Sequence, residues 1–121
     1  TDMGAAAEVV RLLEKHRRPQ WVDVHNFRVI QFGRTLHIDC HVTLPWYYTL
    51  EQSHDEIAVM EKLVNEEGDR GVELFIHMDP CIPSSCSICS LTNCAQRKAD
   101  NARHIPWELE SVLGNAKHGS R

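Results

Sequence analysis

Residues 21–45, WVDVHNFRVIQFGRTLHIDCHVTLP, contain two runs rich in β-branched and aromatic residues on either side of Gly33-Arg34. This pattern predicts two β-strands joined by a turn at the glycine. The second run alternates strictly between apolar and polar side chains, and its two faces hold Leu36, Ile38, Cys40, Val42 and Leu44, and Thr35, His37, Asp39, His41 and Thr43. We therefore expect one face of a sheet to pack against a core and the other to display imidazole and carboxylate groups.

Two helices are predicted around this hairpin. The first runs from about Ala5 to Arg17, because apolar residues recur at helical spacing, basic residues fill its last turn and Pro19 follows. The second runs from about Leu50 to Glu67, from a T-x-x-Q capping box at Thr49 to Gly68. The capping box makes the second helix the better defined of the two.

A third strand is predicted for residues 71–80, GVELFIHMDP, whose alternation again places histidine and aspartate, His77 and Asp79, on its polar face. The order αββαβ favours an α+β sandwich in which two helices cover one face of a three-stranded sheet. After the sheet come a cysteine-rich tail and a short C-terminal helix framed by Pro106 and Gly114, which we expect either to fold back on the body or to contact the partner protomer.

Composition narrows the class of protein. The 121 residues carry a net charge of −4 and a sequence pI near 6.0, which gives no basic field for nucleic acid. Apolar runs fall short of the roughly 18 residues that span a bilayer, and no signal peptide pattern is present at the N-terminus. Five cysteines without such a signal indicate reduced thiols in a cytosolic protein.

The polar faces of the second and third strands predict a metal site. His41 on one strand can converge with His77 and Asp79 on the other if the strands lie close together. Mixed imidazole and carboxylate ligands suit Zn²⁺ and its first-row neighbours better than Ca²⁺ or Mg²⁺. These residues therefore specify a class of metal but not one metal.

The segment after the third strand holds Cys81, Cys86, Cys89 and Cys94 in the pattern C-x4-C-x2-C-x4-C. Three interpretations remain open at this point: a separate thiolate site for Zn²⁺ or a similar soft ion, reduced cysteines that are only packed or mobile, and an iron–sulfur cluster. The outer spacings match no standard zinc ribbon. Cys40, on the apolar face of its strand, is expected to be a small buried hydrophobic residue.

Four separated motifs give the chain a family resemblance. They are V-H-x-x-R, G-x-x-x-x-I-D-x-H-V, S-H on the second helix and I-H-x-D-P-C, and they occur in this order between about Ala5 and Cys81. The combination resembles the C-terminal cytoplasmic domain of cation diffusion facilitator transporters, a family of divalent metal cation efflux proteins. The last three cysteines go beyond what most members of the family have.

The resemblance implies a metallochaperone-like, ferredoxin-like fold that forms a homodimer through its sheet side and binds divalent cations at the interface. Carried over by motif, the implied ligands are His25, His41, His54, His77 and Asp79, and some of them can come from the other protomer. His54 could instead pack on its helix, and His25 could be an ordinary polar residue at a strand edge. His37 and Asp39 are expected to orient ligands by hydrogen bonds.

The predicted function is that of a cytoplasmic regulatory domain that binds Zn²⁺ and couples binding to domain closure; Cd²⁺, Co²⁺, Ni²⁺, Mn²⁺ and Fe²⁺ also suit the ligands. Residues 5–80 would form the metal-binding dimerisation domain and residues 81–121 the tail. If the chain is a fragment, its partner is the transmembrane domain of the same transporter. The alternative is a free-standing metal buffer or metallochaperone.

No general base pairs with the ligands as a hydrolase would require, and the acidic charge disfavours a zinc-ribbon protein that binds nucleic acid.

Overall fold

The computed structural model describes residues 2–67, 71–114, 117 and 118. The elements are α1 (Asp2–Lys15), β1 (Asp23–Phe32), β2 (Thr35–Leu44), α2 (Leu50–Glu67), β3 (Val72–Pro80), a 3₁₀-helix (Pro83–Ile88) and α3 (Leu109–Val112). The α+β class and the αββαβ order predicted from the sequence are confirmed. None of the described helices is long and apolar enough to cross a membrane.

The three strands form one sheet in the order β1-β2-β3. β1 pairs with β2 in antiparallel orientation, and β2 pairs with β3 in parallel orientation. The parallel pair requires a crossover, which α2 supplies, since parallel strands cannot be joined by a tight turn. β2 is therefore the central strand, and its polar face has a neighbouring strand on each side.

The hairpin between β1 and β2 turns at the predicted glycine. Phe32 pairs with Thr35, so the loop consists of Gly33 and Arg34 alone. Gly33 has a φ of +57°, which glycine adopts without steric cost, whereas Arg34 keeps a negative φ. This combination is typical of a type II′ turn, whose twist matches that of the flanking strands.

The predicted capping box starts α2. The backbone N–H of Gln52 donates to the Thr49 hydroxyl at 3.1 Å, and the backbone N–H of Thr49 donates to the side-chain oxygen Oε1 of Gln52 at 2.9 Å. These two bonds satisfy donors that the first turn of a helix leaves free. The helix spans Leu50–Glu67, as predicted, and Gly68 lies outside the described residues.

The core lies between one face of the sheet and the helices. All the predicted apolar residues of β2 are at most 2% exposed, and Met60 and Val64 of α2 join the same cluster with Val9, Val10 and Leu13 of α1. The polar face of β2 is only partly covered. The sheet thus has one packed face, as the alternation predicted, and one polar face that is open only in part, since Asp23, His25 and Thr43 on it are at most 4% exposed.

The C-terminal helix is shorter than predicted. It comprises Leu109–Val112, because Glu108 is extended (φ −128°, ψ 160°) and its amide donates to the Ser111 hydroxyl at 3.0 Å. Pro106 therefore precedes the helix without beginning it. Trp107 and Val112, at 3% and 0% exposure, are buried in the core cluster, which confirms that this part of the tail folds back on the body.

Candidate metal centre

Three histidines form a row across the polar face of the sheet, from the buried His25 to the exposed His77. His41 on the central strand is the register partner of His25 on β1 and of His77 on β3. The ring centroids of His25 and His41 are 5.2 Å apart, and those of His41 and His77 are 4.9 Å apart. Strand pairing therefore brings together imidazoles that are far apart in the sequence.

Asp79 joins two of these histidines. Its Oδ2 atom lies 3.0 Å from His41 Nδ1 and 3.2 Å from His25 Nε2. Among the described residues, His25, His41 and Asp79 are the one group of three metal-ligating side chains whose ligand atoms all lie within 4.8 Å of one another. We refer to these three residues as the histidine cluster.

The spacing of the histidine cluster fits a small divalent ion. Nitrogen and oxygen ligands lie about 2.0–2.1 Å from Zn²⁺, so two ligands at a tetrahedral angle are about 3.3 Å apart. The observed separations of 3.0 and 3.2 Å are close to that value. Two of the three ligand separations thus already suit a zinc-like ion, and the third, between ring nitrogens of His25 and His41, is at most 4.8 Å.

A β-bulge sets the position of His25. Between His25 and Arg28, β1 advances three residues while β2 advances two, from His41 to Asp39. Asn26 takes up the extra residue with a φ of 52°, in the left-handed region that asparagine tolerates. The bulge turns Phe27 into the core, where it is 1% exposed, and leaves His25 facing His41.

Asp23 lies behind His25 and is a residue that the sequence interpretation missed. Its Oδ2 is 3.4 Å from His25 Nδ1, and it also accepts a hydrogen bond of 2.8 Å from the amide of His118. The aspartate is 1% exposed, and His25 Nδ1 is buried without a hydrogen bond to any described residue. A carboxylate on one ring nitrogen commonly orients the other nitrogen toward a metal. The sequence did hold a signal for Asp23: it lies two residues from His25 on one strand, the same spacing that places His77 and Asp79 on one face.

His77 borders the histidine cluster without joining it. Its side chain is 61% exposed, its ring stacks on His41, and its Nε2 lies 3.7 Å from Asp39 Oδ1. Because β3 is the outer strand, this imidazole has no strand beyond it. It is therefore free to bind an ion at the edge of the sheet.

His54 lies elsewhere in the protomer. It is exposed on α2, in the helical layer that covers the opposite face of the sheet from His41. It does not belong to the one metal-ligating group found among the described residues. A single chain thus does not bring His54 to the histidine cluster.

His37 and Asp39 interact mainly with each other. His37 Nε2 and Asp39 Oδ2 are 3.2 Å apart, and the His37 ring stacks on Phe75 with centroids separated by 4.7 Å. Asp39 also faces His77. This arrangement agrees with a hydrogen-bonding role for the pair, with Asp39 touching one of the predicted ligands.

The cysteines fall into two environments. Cys40 is fully buried, and burial raises the pKa of its thiol to about 12. The four tail cysteines are half-buried and line one cavity at the end of the sheet. Burial and the three neighbouring thiols raise the pKa of Cys81, whereas a hydrogen bond from the backbone N–H of Trp46 lowers it.

Comparison with known proteins identifies the family. Residues 5–81 match the family described as the cytoplasmic domain of cation efflux proteins. No curated protein sequence is significantly similar to the chain.

Solved structures share the fold. The C-terminal domain of MamB, a magnetosome protein of Desulfamplus magnetovallimortis, is 16% identical and aligns over 65% of this chain and 95% of its own, with a TM-score of 0.56. The candidate zinc transporter CzrB gives 16% identity, the same coverage of both chains and a TM-score of 0.59. The metal-bound C-terminal domain of the CzcD transporter from Thermotoga maritima is 16% identical and aligns over 64% of this chain and 88% of its own, with a TM-score of 0.53. The chain belongs to the family of cation efflux protein cytoplasmic domains, which its four motifs and its fold had each indicated.

Proposed function

We propose that this chain is the regulatory domain of a cation diffusion facilitator transporter and that it binds Zn²⁺ or a similar divalent cation at a homodimer interface. One observation carries the proposal. His25, His41 and Asp79, brought from three strands, hold their ligand atoms within 4.8 Å of one another on the polar face of the sheet. Residues 5–80 are the metal-binding dimerisation domain, and residues 81–121 are its tail.

The ligand types favour zinc among the possible ions. Two imidazoles and a carboxylate suit Zn²⁺, Co²⁺ and Ni²⁺, with Cd²⁺, Mn²⁺ and Fe²⁺ as weaker candidates. Asp23, Asp39 and Asp79 also make this part of the face acidic, which attracts a cation. CzcD of Thermotoga maritima binds metal in a domain of the same fold.

A second copy of the chain would complete the coordination. The histidine cluster supplies three ligands, and a closed tetrahedral site takes four. His77 beside the cluster and the exposed His54 on α2 are the remaining predicted ligands, and neither has its ring nitrogens buried inside its own protomer. We assign His77 to the site shared with a second protomer, because it lies on the same face as the histidine cluster, whereas His54 lies in the helical layer behind the other face.

The open face also suits a protein partner. Ile30, Phe32 and Phe75 lie on it at 49%, 60% and 47% exposure. Apolar side chains grouped on one face often mark an interaction site. Contact through this face would bury them and bring the metal ligands of two protomers together.

Metal binding at such an interface would drive closure. Ligands from both protomers hold an ion more tightly in the closed pair than in the open pair, so the ion shifts the population toward closure. A transmembrane domain attached to each protomer would be moved by this change. We infer regulation and not catalysis, because a ligand from the second protomer would occupy the position that a metallohydrolase leaves to water.

A free-standing metal buffer is the alternative function. The same site would serve it, but binding would then need no linkage to the geometry of a dimer. Measuring whether zinc binding and dimerisation depend on each other separates the two functions.

The experiment is zinc titration of the full chain by calorimetry, with sedimentation equilibrium in the presence and absence of zinc. We expect zinc to tighten the dimer of the wild-type chain by at least about tenfold, the lower range of ordinary coupling energies. His77→Ala should remove this linkage while zinc still binds to the histidine cluster. His104→Ala is the matched control, since His104 is also exposed, at 60% of its side chain, and lies outside the predicted ligands.

Zinc that binds to the wild-type chain without any change in the dimer constant would contradict the regulatory proposal and favour a buffer. If His77→Ala and His104→Ala behave like the wild type, His77 is not a ligand. Absence of zinc binding at the histidine cluster would contradict both functions.

A further inference from the structure

The four tail cysteines surround one cavity. Cys81, Cys86, Cys89 and Cys94 line a space of about 70 Å³, together with Trp46 and Tyr47 from the loop after β2. All four thiols are free and half-buried. We call this group the cysteine pocket, and it is separate from the histidine cluster.

Backbone hydrogen bonds and a short 3₁₀-helix bring the cysteines together. The amide of Cys81 donates to the carbonyl of Leu44 at 2.9 Å, which keeps the chain beside β2 after β3 has ended. The 3₁₀-helix Pro83–Ile88 then carries Cys86, and the amide of Cys89 donates to the Cys86 carbonyl at 3.2 Å. The C-x2-C pair therefore sits on one tight turn, the arrangement by which two thiolates chelate one ion.

Hydrogen-bond donors are directed at three of the four sulfur atoms. The Trp46 amide lies 3.4 Å from Cys81 Sγ, the Lys98 amide lies 3.4 Å from Cys86 Sγ, and the Tyr47 hydroxyl lies 3.3 Å from Cys94 Sγ. A neutral thiol is a weak acceptor, whereas a thiolate accepts such bonds well. Donors placed in this way stabilise the charge of metal-bound sulfur and orient it.

Arg97 braces the loop that holds the cysteines. Its guanidinium donates to the carbonyls of Cys86, Cys89, Leu91 and Ala99 at 2.9, 2.8, 2.7 and 2.9 Å. These bonds satisfy carbonyls of a loop that has no ladder or helix of its own. They also place a positive charge beside the thiols, which offsets part of the charge of a thiolate site.

The tail has little regular structure between the 3₁₀-helix and α3. From Cys89 to Glu108 the chain runs for 20 residues without a helix or a strand. Such long irregular segments are uncommon in compact domains unless something else fixes them. Small loop-rich segments are usually fixed by disulfides or by a structural metal, and reduced cytosolic cysteines favour the metal.

We propose that the cysteine pocket is a thiolate site for one soft divalent ion, Zn²⁺ or Cd²⁺, which fastens the tail to the end of the sheet. The site is additional to the shared ion of the proposed function and does not depend on it. Four thiolates on Zn²⁺, each about 2.3 Å from the ion, lie about 3.8 Å apart. No three of the four Sγ atoms lie within 4.8 Å of one another in the described chain, so the sulfur atoms close in when the ion binds.

Cobalt(II) binding to the reduced, metal-free full chain tests the site, because thiolate ligands give Co²⁺ a sulfur-to-metal charge-transfer absorption that imidazole and carboxylate do not. We expect this absorption in the wild type, with one such ion per chain, and zinc should displace it. It should persist in His41→Ala/Asp79→Ala, which removes the histidine cluster. Cys86→Ser/Cys89→Ser should weaken binding at the pocket by at least about a hundredfold.

Cys40→Ala is the matched control, because it removes a cysteine that lies in the core and not in the pocket. It should leave the absorption unchanged. Absence of the sulfur band in the wild-type chain would overturn the proposal whether or not the variants fold. A band that is lost in His41→Ala/Asp79→Ala would also overturn it, because the thiolate site would then not be independent.

Discussion

The histidine cluster and the cysteine pocket differ in where their ligands come from. They are adjacent in sequence only where Asp79 of the cluster precedes Cys81 of the pocket by two residues. The cluster takes its ligands from three paired strands, and its atoms already lie 3.0 and 3.2 Å apart. The pocket takes all its ligands from 14 consecutive residues, 81–94, and its sulfur atoms are more widely spaced.

This difference separates two roles for a bound metal. Strands hold the cluster in place before an ion arrives, so the ion can report its presence to a second protomer without organising the fold. The cysteine pocket lies on loops, so its ion organises the segment that binds it. A chelator should therefore loosen the tail and leave the sheet intact.

The largest expected effect comes from removing ligands of the cluster. His41→Ala/Asp79→Ala should cost about 5 kcal/mol of zinc binding at this site, a loss of at least about a thousandfold, if each ligand contributes a quarter of a typical structural zinc affinity. Calorimetry measures the loss. His37→Ala/Asp39→Ala is the matched control on the same face, and an equal loss there would show that the cluster was wrongly assigned.

The next effect tests whether packing also holds the tail. Trp107 is 3% exposed, and the Arg17 guanidinium lies 3.9 Å from the centroid of its ring. Trp107→Ala should lower the free energy of unfolding by about 3 kcal/mol, toward the low end for such truncations, because the indole N–H is buried without a hydrogen bond to the described residues. Urea unfolding gives the value.

Trp46→Ala serves as the control for Trp107→Ala, since Trp46 is 57% exposed. It should cost less than about 1 kcal/mol. If the two variants lose the same stability, burial of Trp107 in the core does not anchor the tail.

A smaller effect is expected at Asp23, which touches the cluster without belonging to it. Asp23→Asn keeps the size of the side chain but removes the charge that faces His25 Nδ1 at 3.4 Å. Zinc affinity at the cluster should fall by about 10- to 100-fold, as it does when a residue that orients a ligand is lost. Asp39→Asn should change the affinity by less than about threefold, since Asp39 pairs with His37 at 3.2 Å and reaches only His77, at 3.7 Å, among the predicted ligands. Identical affinities for both variants would rule out the orienting role of Asp23.

The smallest effect separates the core thiol from those in the pocket. Burial raises the pKa of Cys40 from 9.0 to about 12, so the unfolded chain loses this proton at a lower pH than the folded chain does. Stability from this group is present below pH 9 and falls as the pH rises above it, by about 1.4 kcal/mol at pH 10. Cys40→Ala should remove that part of the decline between pH 8 and pH 10. An unchanged pH dependence would show that the thiol ionises in the folded chain.

Much of the fold followed from patterns that act over short distances. The alternation in residues 35–44 gave the two faces of the sheet, and the Thr49 capping box gave the start of α2. The C-terminal helix predicted from the sequence was too long, because Pro106 and Gly114 permit a helix boundary but do not require one. The extended backbone at Glu108, beside the buried Trp107, decided where the helix begins.

The cluster was partly predictable for a related reason. His41, His77 and Asp79 share a face by alternation alone, but register decides which of them meet, and a sequence does not give register directly. The bulge at Asn26 and the placement of Asp23 behind His25 depend on tertiary contacts with Gly114 and His118. Such contacts leave no periodic signal in the sequence.

The most direct test of the shared site is a crystal structure of the zinc-loaded full chain with anomalous diffraction at the zinc absorption edge. We predict an anomalous peak between His25 Nε2, His41 Nδ1 and Asp79 Oδ2, within coordinating distance of a histidine from a second protomer. A zinc-loaded chain with no peak at that position, or with a peak coordinated entirely by one chain, would contradict the shared site.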